Sequence, residues 1–121
     1  MFHLHGNLKY FLYPGAVDMR KSFYTLSGIV TSLMKRDVQS GEVFIFVNKR
    51  LTTMKILHLE HGGLVIYHKR LDSGVFKLPS LDRSLPSVAI DWHDLMMIVK
   101  NVQPRKRRLK LLQKEALFQN N

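Results

Sequence analysis

Hydrophobic residues recur along the chain in short blocks whose spacing predicts alternating strands and turns. The first block, LKYFLY at 8–13, is rich in aromatic residues and stops at Pro14-Gly15, which predicts a strand followed by a turn. The block EVFIFV at 42–47 is almost continuously apolar, which is typical of a central strand covered on both faces. These two blocks are the strongest strand predictions in the chain.

A helix is predicted between them, with Asp18 as its N-cap and a basic end at Lys35 and Arg36. One apolar stripe at helical spacing supports it: Met19, Phe23, Leu26, Val30 and Leu33. The predicted first turn also carries Arg20 and Lys21, although the positive end of the helix dipole favours acidic side chains there. This basic pair is explained either by a carboxylate partner, such as Asp18, Glu42 or Glu60, or by a site for phosphate at the helix N-terminus.

Three further strands are predicted at 53–60, 64–71 and 75–79, separated by short turns that contain glycine or basic residues. Hairpins need only a few connecting residues, whereas a parallel crossover needs a dozen or more, so an antiparallel meander is expected. A polar connection at 80–87 then leads to a helix at 92–102, capped by Asp91.

These elements predict the α+β fold class, with one domain built on a mostly antiparallel sheet of about four or five strands. An N-terminal amphipathic helix and a C-terminal helix accompany the sheet. The domain is predicted to span 1–103 and a basic C-terminal tail to span 104–121. The expected core residues are Phe23, Leu26, Val30, Phe44, Phe46, Ile56 and Ile66.

Charge changes the picture from fold to function. The 121 residues include 19 Lys and Arg but 9 Asp and Glu, which gives a formal net charge of +10. Such an excess favours a polyanionic partner: nucleic acid first, then an anionic membrane surface, then an acidic protein. With no cysteine, no secretory signal at the start and no long apolar run, we expect a cytoplasmic protein without a membrane partner.

The candidate nucleic-acid-binding residues of the domain lie near the helix start and in the predicted meander: Arg20, Lys21, Lys49, Arg50, Lys55, Tyr67, Lys69 and Arg70. Alternate residues of a strand share a face, so the strand lysines are expected to converge with Tyr67 on one basic surface. The bases would bind phosphates there, and the aromatic ring would stack on unpaired bases. The alternative is that these lysines decorate a solvated face or protect a sheet edge.

The tail contains four consecutive bases, Arg105, Lys106, Arg107 and Arg108, which are typical of a flexible phosphate-binding arm. Two alternatives remain: a solubilising tail, or an amphipathic helix that docks on a partner through Leu109, Leu112 and Ala116. A helix on a membrane surface is a weaker option, because the apolar face is short.

No catalytic or metal site is predicted. The six histidines do not form a set of three or four ligands at a recognisable zinc spacing. The nine acidic residues form no triad that would hold two catalytic cations, and neither a phosphate-binding glycine loop nor a nucleophile elbow occurs. We therefore expect no cofactor and no enzymatic activity.

Four motifs in order make the chain resemble a known family: DMRKSF at 18–23, SGEVFIFVNKR at 40–50, KIL at 55–57 and GGLVIYHKRLDSGVFKLP at 62–79. With them the chain resembles the small accessory proteins, TnpB or Orf2, of the insertion sequence sixty-six family of transposable elements. The resemblance covers about residues 8–100 and departs from the family at HLEHGG, 58–63.

The resemblance implies a helper role in transposition, alongside the transposase and other accessory proteins, and it transfers no catalytic residue. With the charge, it leads to the expected function: a non-enzymatic accessory protein that binds DNA at the element ends with weak sequence specificity. The alternative is a protein–protein interaction module that docks on the transposase or another accessory subunit without binding DNA.

Overall fold

The structure is a computed structural model and describes residues 3–100. This range contains five strands and two helices. A short 3₁₀ turn, Val38–Ser40, precedes the second strand. In chain order the elements are β1 (Tyr10–Ala16), α1 (Phe23–Ser32), β2 (Val43–Val47), β3 (Thr53–Glu60), β4 (Gly63–Arg70), β5 (Val88–Ile90) and α2 (Trp92–Lys100).

The strands form one mixed sheet in the order β4-β3-β2-β1-β5. The β2–β3–β4 meander is antiparallel, as predicted, and β5 is also antiparallel to β1. However, β1 and β2 are parallel, because the connection between them contains α1 and returns the chain to the same starting edge. The α+β class is therefore confirmed, but the sheet is mixed, and the helix described as N-terminal follows the first strand, as the strand prediction at 8–13 implies.

Both faces of the central strands are covered. On one face Leu26 and Val30 of α1 pack on Phe44, Phe46 and Leu57. On the other face α2, the residues before β1 and the segment between β4 and β5 pack on Tyr10, Leu12, Val43, Ile45, Met54 and Ile56. Strand β2 is buried along its whole length, as its apolar run predicts. The middle of the sheet therefore offers no open face to a ligand.

Helix α1 begins later and ends earlier than predicted. Ser22, with extended backbone, precedes its first residue, and the carbonyl of Ser22 accepts the first helical hydrogen bond from the Leu26 N–H, at 2.9 Å. Lys35 adopts a left-handed conformation with φ 58°, which ends the helical path. Because the helix is shorter, Phe23 is 46% exposed and is not a core residue, whereas Met34 is buried.

The remaining core predictions hold: Leu26, Val30, Phe44, Phe46 and Ile56 are buried, and Ile66 packs on the α1 cluster while half-buried. The predicted strand at 75–79 is wrong. Phe76 is buried there, but it is held by one backbone hydrogen bond, from its N–H to the Leu51 carbonyl at 2.7 Å, and not by a strand ladder.

Helix α2 begins where the sequence predicts. The Asp91 carboxylate accepts the Asp94 N–H at 2.7 Å, and the Asp94 carboxylate accepts the Asp91 N–H at 3.2 Å. This reciprocal arrangement is a capping box with aspartate in both positions. The predicted boundary at 103 and the tail bases Arg105, Lys106, Arg107 and Arg108 lie outside the described residues.

Candidate nucleic-acid interface

The basic candidates of the domain gather at one end of the sheet. Ala16 pairs with Val47, Val47 with Met54, and Thr53 with Arg70, so these strand termini lie at the same end of the sheet. We call this end, with the loops that leave it, the basic end. It contains Arg20, Lys21, Lys49, Arg50, Lys55, Lys69 and Arg70, and the acids Asp18 and Asp72. The cations come together because parallel β1 and β2 finish where β3 begins.

Asn48 shapes the turn between β2 and β3 that carries two of these cations. Its side-chain oxygen accepts the N–H groups of Thr52 and Thr53 at 2.8 and 3.0 Å, and its amide donates to the Thr52 hydroxyl at 2.9 Å. These bonds close the turn from inside and leave Lys49 and Arg50 exposed at its tip. The basic turn was predicted from the sequence, but the role of Asn48 was not. Asparagine is common in turns because its side chain forms hydrogen bonds with nearby backbone groups, and this preference could have identified Asn48.

The loop after β1 faces this turn across a cavity of about 410 Å³, lined by Ala16, Val17, Asp18, Met19, Asn48, Lys49 and Arg50. The loop is anchored beside β2 by the Val17 N–H, which donates to the Val47 carbonyl at 2.9 Å. The loop that carries the basic pair and the basic turn therefore border the same depression.

Asp18 organises the loop and does not cap α1, contrary to the prediction. Its carboxylate accepts the Arg20 N–H at 2.9 Å, and its carbonyl accepts the Lys21 N–H at 3.1 Å, which forms a tight turn. Arg20 and Lys21 therefore precede the helix rather than occupy its first turn, and the expected conflict with the helix dipole does not arise.

The carboxylate explanation for the basic pair holds for Arg20. Arg20 points at a carboxylate: its guanidinium binds the Asp18 carboxylate, with the shortest contact, Nη2 to Oδ2, at 2.6 Å. The hydrogen bonds from Arg20 lower the pKa of Asp18 to about 2. Arg20 nevertheless remains 91% exposed, so its other N–H groups still face solvent.

Lys55 is not part of an open basic surface. It is buried beneath the loop, and its ammonium donates to the Lys21 carbonyl at 2.7 Å. Lys55 thus holds the loop against β3 and contributes positive potential from below. Its role is to position Lys21, with little opportunity for direct contact with a phosphate.

The expected convergence of Lys55 with Tyr67 and Lys69 on one face is wrong. Lys55 pairs with His68 and Ile56 pairs with Tyr67, and directly paired residues point to the same side of a sheet. Lys55, His68 and Arg70 therefore lie on the α1 side, while Tyr67 and Lys69 lie on the α2 side. Lys69 and Arg70 are both exposed at the end of β4, so they reach the basic end from opposite sides.

Tyr67 belongs to a different cluster towards the other end of β4. Its hydroxyl donates to the Glu60 carboxylate, with the shorter contact at 2.7 Å, and its ring is half-buried. His58 Nδ1 approaches the same carboxylate at 2.9 Å, while His58 Nε2 faces the Gly41 carbonyl at 3.1 Å. Both ring nitrogens of His58 therefore face hydrogen-bond acceptors.

Burial disfavours the charged form of Glu60, but the hydrogen bonds from His58 and Tyr67 prevail and keep the pKa of Glu60 below its usual value. His3 Nε2 also lies 4.0 Å from this carboxylate. Within residues 3–100, no group of three or more histidine and acidic side chains is arranged to hold a metal ion. The cluster is a satisfied polar network that fastens the end of β3 to β4.

Two aromatic side chains that the sequence analysis did not assign to a site lie beside the basic loop. Tyr24 is 93% exposed and Phe23 is 46% exposed, both on the first turn of α1. Phe23 was predicted in the core because it continues the apolar stripe of Leu26 and Val30. It lies instead at the first residue of the helix, after Ser22, and remains half exposed.

The two ends of the sheet differ in charge. The basic end carries seven Lys and Arg against two acids, whereas Lys9, Lys35 and Arg36 lie towards the opposite end with Asp37, Glu42, Glu60, Asp91 and Asp94. None of Lys49, Arg50, Lys69 and Arg70 forms an ion pair within residues 3–100. No helix in that range is long and apolar enough to cross a membrane. The basic end is the region of the described chain best suited to bind a polyanion.

Comparison with known proteins gives one family and two relatives. The family model described as IS66 Orf2 like protein matches residues 8–109. The uncharacterized protein y4hO of Sinorhizobium fredii is 29% identical over 99 residues, 82% of this chain and 84% of the relative. The uncharacterized protein y4jC of the same organism is 30% identical over 86 residues, 63% of this chain and 74% of the relative. No solved structure matches the chain.

Proposed function

The chain belongs to the IS66 Orf2-like family of insertion-sequence accessory proteins, and on this premise we propose that it binds DNA through the basic end during transposition. The proposed role is architectural and non-enzymatic: the protein holds the element ends or bridges them to the transposase and other accessory proteins. It neither makes nor breaks a covalent bond.

One observation carries the proposal: cations from the loop after β1, the β2–β3 turn and the end of β4 gather at the basic end of the sheet. Like charges held close together repel, and within residues 3–100 Lys49, Arg50, Lys69 and Arg70 have no carboxylate partner. A phosphate backbone would relieve this repulsion and release its own counterions. The arrangement therefore favours an anionic polymer over a small neutral ligand.

The geometry favours contact with phosphates over recognition of base edges. Within residues 3–100 the exposed cations are spread over loops and strand ends, and neither α1 nor α2 presents a row of them to a major groove. Phosphate contacts set orientation but carry little sequence information. Weak sequence specificity is therefore part of the proposal, and recognition of the element falls to another component.

The tail is proposed to extend the same surface. Val99, near the end of α2, lines a groove together with Lys69 and Met54, so the described chain finishes close to the basic end. The four consecutive bases, Arg105 to Arg108, follow within a few residues in sequence. They would add phosphate contacts without requiring a folded interface.

The test compares two double charge reversals that change net charge equally. Lys49→Glu/Arg50→Glu alters the basic end, and Lys9→Glu/Lys35→Glu alters exposed lysines towards the opposite end. Binding to a fluorescently labelled DNA is followed by anisotropy at low salt. The first variant should lose at least tenfold in affinity, and the second should remain within about twofold of the unaltered chain. Equal losses in both would show that binding depends on total charge and not on the basic end.

The same experiment separates the interaction-module alternative. If no DNA of any form binds at low salt, while the transposase co-purifies with the chain after nuclease treatment, the DNA-binding proposal is wrong. The basic end would then serve an acidic protein surface.

A further inference from the structure

The first turn of α1 presents aromatic surface that the fold does not use. Tyr24 is 93% exposed, and within residues 3–100 its hydroxyl has no hydrogen-bond partner. Phe23 beside it is 46% exposed, although the helix could bury its apolar side chains against β2 and β3 as Leu26 and Val30 do. Exposure of two neighbouring aromatic rings to solvent is unfavourable, and in a small domain it is typical of a contact surface.

These rings adjoin the basic loop. Arg20 and Lys21 immediately precede the helix, and side chains in a helix lean towards its N-terminus, so the rings lean towards the two cations. The loop is held in place from below by the Lys55 ammonium, which donates to the Lys21 carbonyl. Arg70, paired with Thr53, approaches from the same side of the sheet. The exposed rings and these cations all lie on the α1 side of the basic end, and we treat them as one surface.

We propose that this surface binds single-stranded DNA, with Tyr24 stacking on an unpaired base while Arg20, Lys21 and Arg70 contact the flanking phosphates. The inference rests on the proposed DNA-binding function and adds a preference among DNA forms. In a duplex each base is already stacked between its neighbours, so its ring face is closed to Tyr24. In a single strand the ring faces are open, and base–aromatic stacking is tolerant of sequence.

Tyr24 takes the role that the sequence analysis gave to Tyr67. The Tyr67 hydroxyl is occupied by Glu60, and its ring is half-buried on the opposite side of the sheet from Arg70.

The test measures affinity for two probes by anisotropy at one low salt concentration: an oligothymidylate of about 20 nucleotides and a duplex of similar length. Tyr24→Ala should weaken binding to the single strand about tenfold and change duplex binding less than about twofold. Tyr24→Phe should retain both affinities because the ring is kept. Leu33→Ala is the matched control, since Leu33 is 51% exposed at the other end of the same helix, and it should change neither affinity.

The outcomes distinguish this inference from the proposed function. If the unaltered chain binds the duplex and Tyr24→Ala leaves the single-strand affinity unchanged, the stacking inference is wrong and the DNA-binding function stands. An equal loss for both probes would also overturn the inference, because it would show a general contact without preference. If neither probe binds the unaltered chain, both proposals are wrong.

Discussion

The two ends of the sheet use charged side chains for different purposes. At the end where β1 and β2 begin and β3 finishes, which we call the paired end, Glu42 binds Arg36 at 2.8 Å and Glu60 binds His58 at 2.9 Å. At the basic end one pair forms in the described chain, between Asp18 and Arg20, and the remaining exposed cations have no carboxylate. The paired end uses charge to hold segments together, whereas the basic end keeps charge available.

Arg36 shows what a cation at the paired end contributes. Two of its guanidinium nitrogens, Nε and Nη2, donate to the two carboxylate oxygens of Glu42. Its Cζ atom lies 3.6 Å from the centre of the Phe11 ring. The side chain thereby ties the segment after α1 to the start of β2 and to β1. Lys49 and Arg50 have no comparable contact within residues 3–100, so the fold gains little from them. This contrast is the physical reason for proposing that Lys49 and Arg50 bind a ligand.

The strongest way to break the comparison is a salt titration of DNA binding. If about four unpaired cations each neutralise one phosphate, the logarithm of affinity should fall with the logarithm of salt concentration with a slope near −3.6 or steeper. Affinity would drop by roughly a hundredfold between about 50 and 200 mM salt. Arg50→Ala should reduce the slope by about 0.9, whereas Lys35→Ala should leave it unchanged. A slope that responds equally to both changes would refute the distinction between the two ends.

The next effect concerns stability at the paired end. Glu60→Ala leaves the Tyr67 hydroxyl and His58 without their acceptor, so the free energy of unfolding should fall by about 2 kcal/mol. Asp72→Ala, which removes an exposed carboxylate at the basic end, is the control and should change it by less than about 0.5 kcal/mol. Urea denaturation measures both variants. If Glu60→Ala unfolds with the same free energy as the unaltered chain, the charged groups of the paired end do not stabilise the fold more than those of the basic end.

Much of this contrast could not be anticipated from the sequence, and the reason is strand register. The runs at 42–47, 53–60 and 64–71 correctly predicted β2, β3 and β4, because uninterrupted apolar blocks and tight turns are local properties. Which strand residues share a face depends on pairing between strands. Here the turn at His61-Gly62, both with positive φ, sets that pairing. This two-residue hairpin turn places Lys55 opposite His68 and away from Tyr67.

Two other errors have the same kind of cause. Strand β5 was missed because Val88–Ile90 is too short to show a period and exists by pairing with β1. Phe23 was assigned to the core because it continues the apolar stripe of the helix, but the helix begins at Phe23 and the tertiary fold leaves this end of the stripe uncovered. The basic residues themselves were identified, but their convergence at one end depends on the parallel pairing of β1 and β2, which is a long-range property.

Acid sensitivity should also differ between the ends. The pKa of Glu60 is held below its usual value by hydrogen bonds that overcome burial, and Arg36 lowers the pKa of Glu42. Each carboxylate binds fewer protons in the folded than in the unfolded chain, so it contributes stability that is present above the unfolded pKa, about 4.3. That stability is lost as pH falls through the folded pKa. Urea midpoints between about pH 6 and 3 should therefore fall less steeply for Glu60→Gln than for the unaltered chain.

The smallest expected effect sharpens the comparison most directly, because two aspartates make the same local turn at opposite ends. The carboxylates of Asp18 and Asp37 each accept the N–H of the residue two positions ahead, at 2.9 Å, and asparagine can keep that bond. Asp18→Asn removes a negative charge that, with its pKa lowered to about 2, persists at every working pH. It also releases the Arg20 guanidinium towards the ligand.

Affinity for DNA should therefore rise about 2- to 5-fold in Asp18→Asn, the scale of one exposed ion pair, and remain unchanged in Asp37→Asn. Both substitutions raise the net charge equally, so anisotropy titrations at one salt concentration separate a local effect from a global one. Equal gains in the two variants would mean that DNA senses the total charge of the chain. A gain confined to Asp18→Asn would show that Arg20 is held by its own chain until phosphate competes with Asp18 for it.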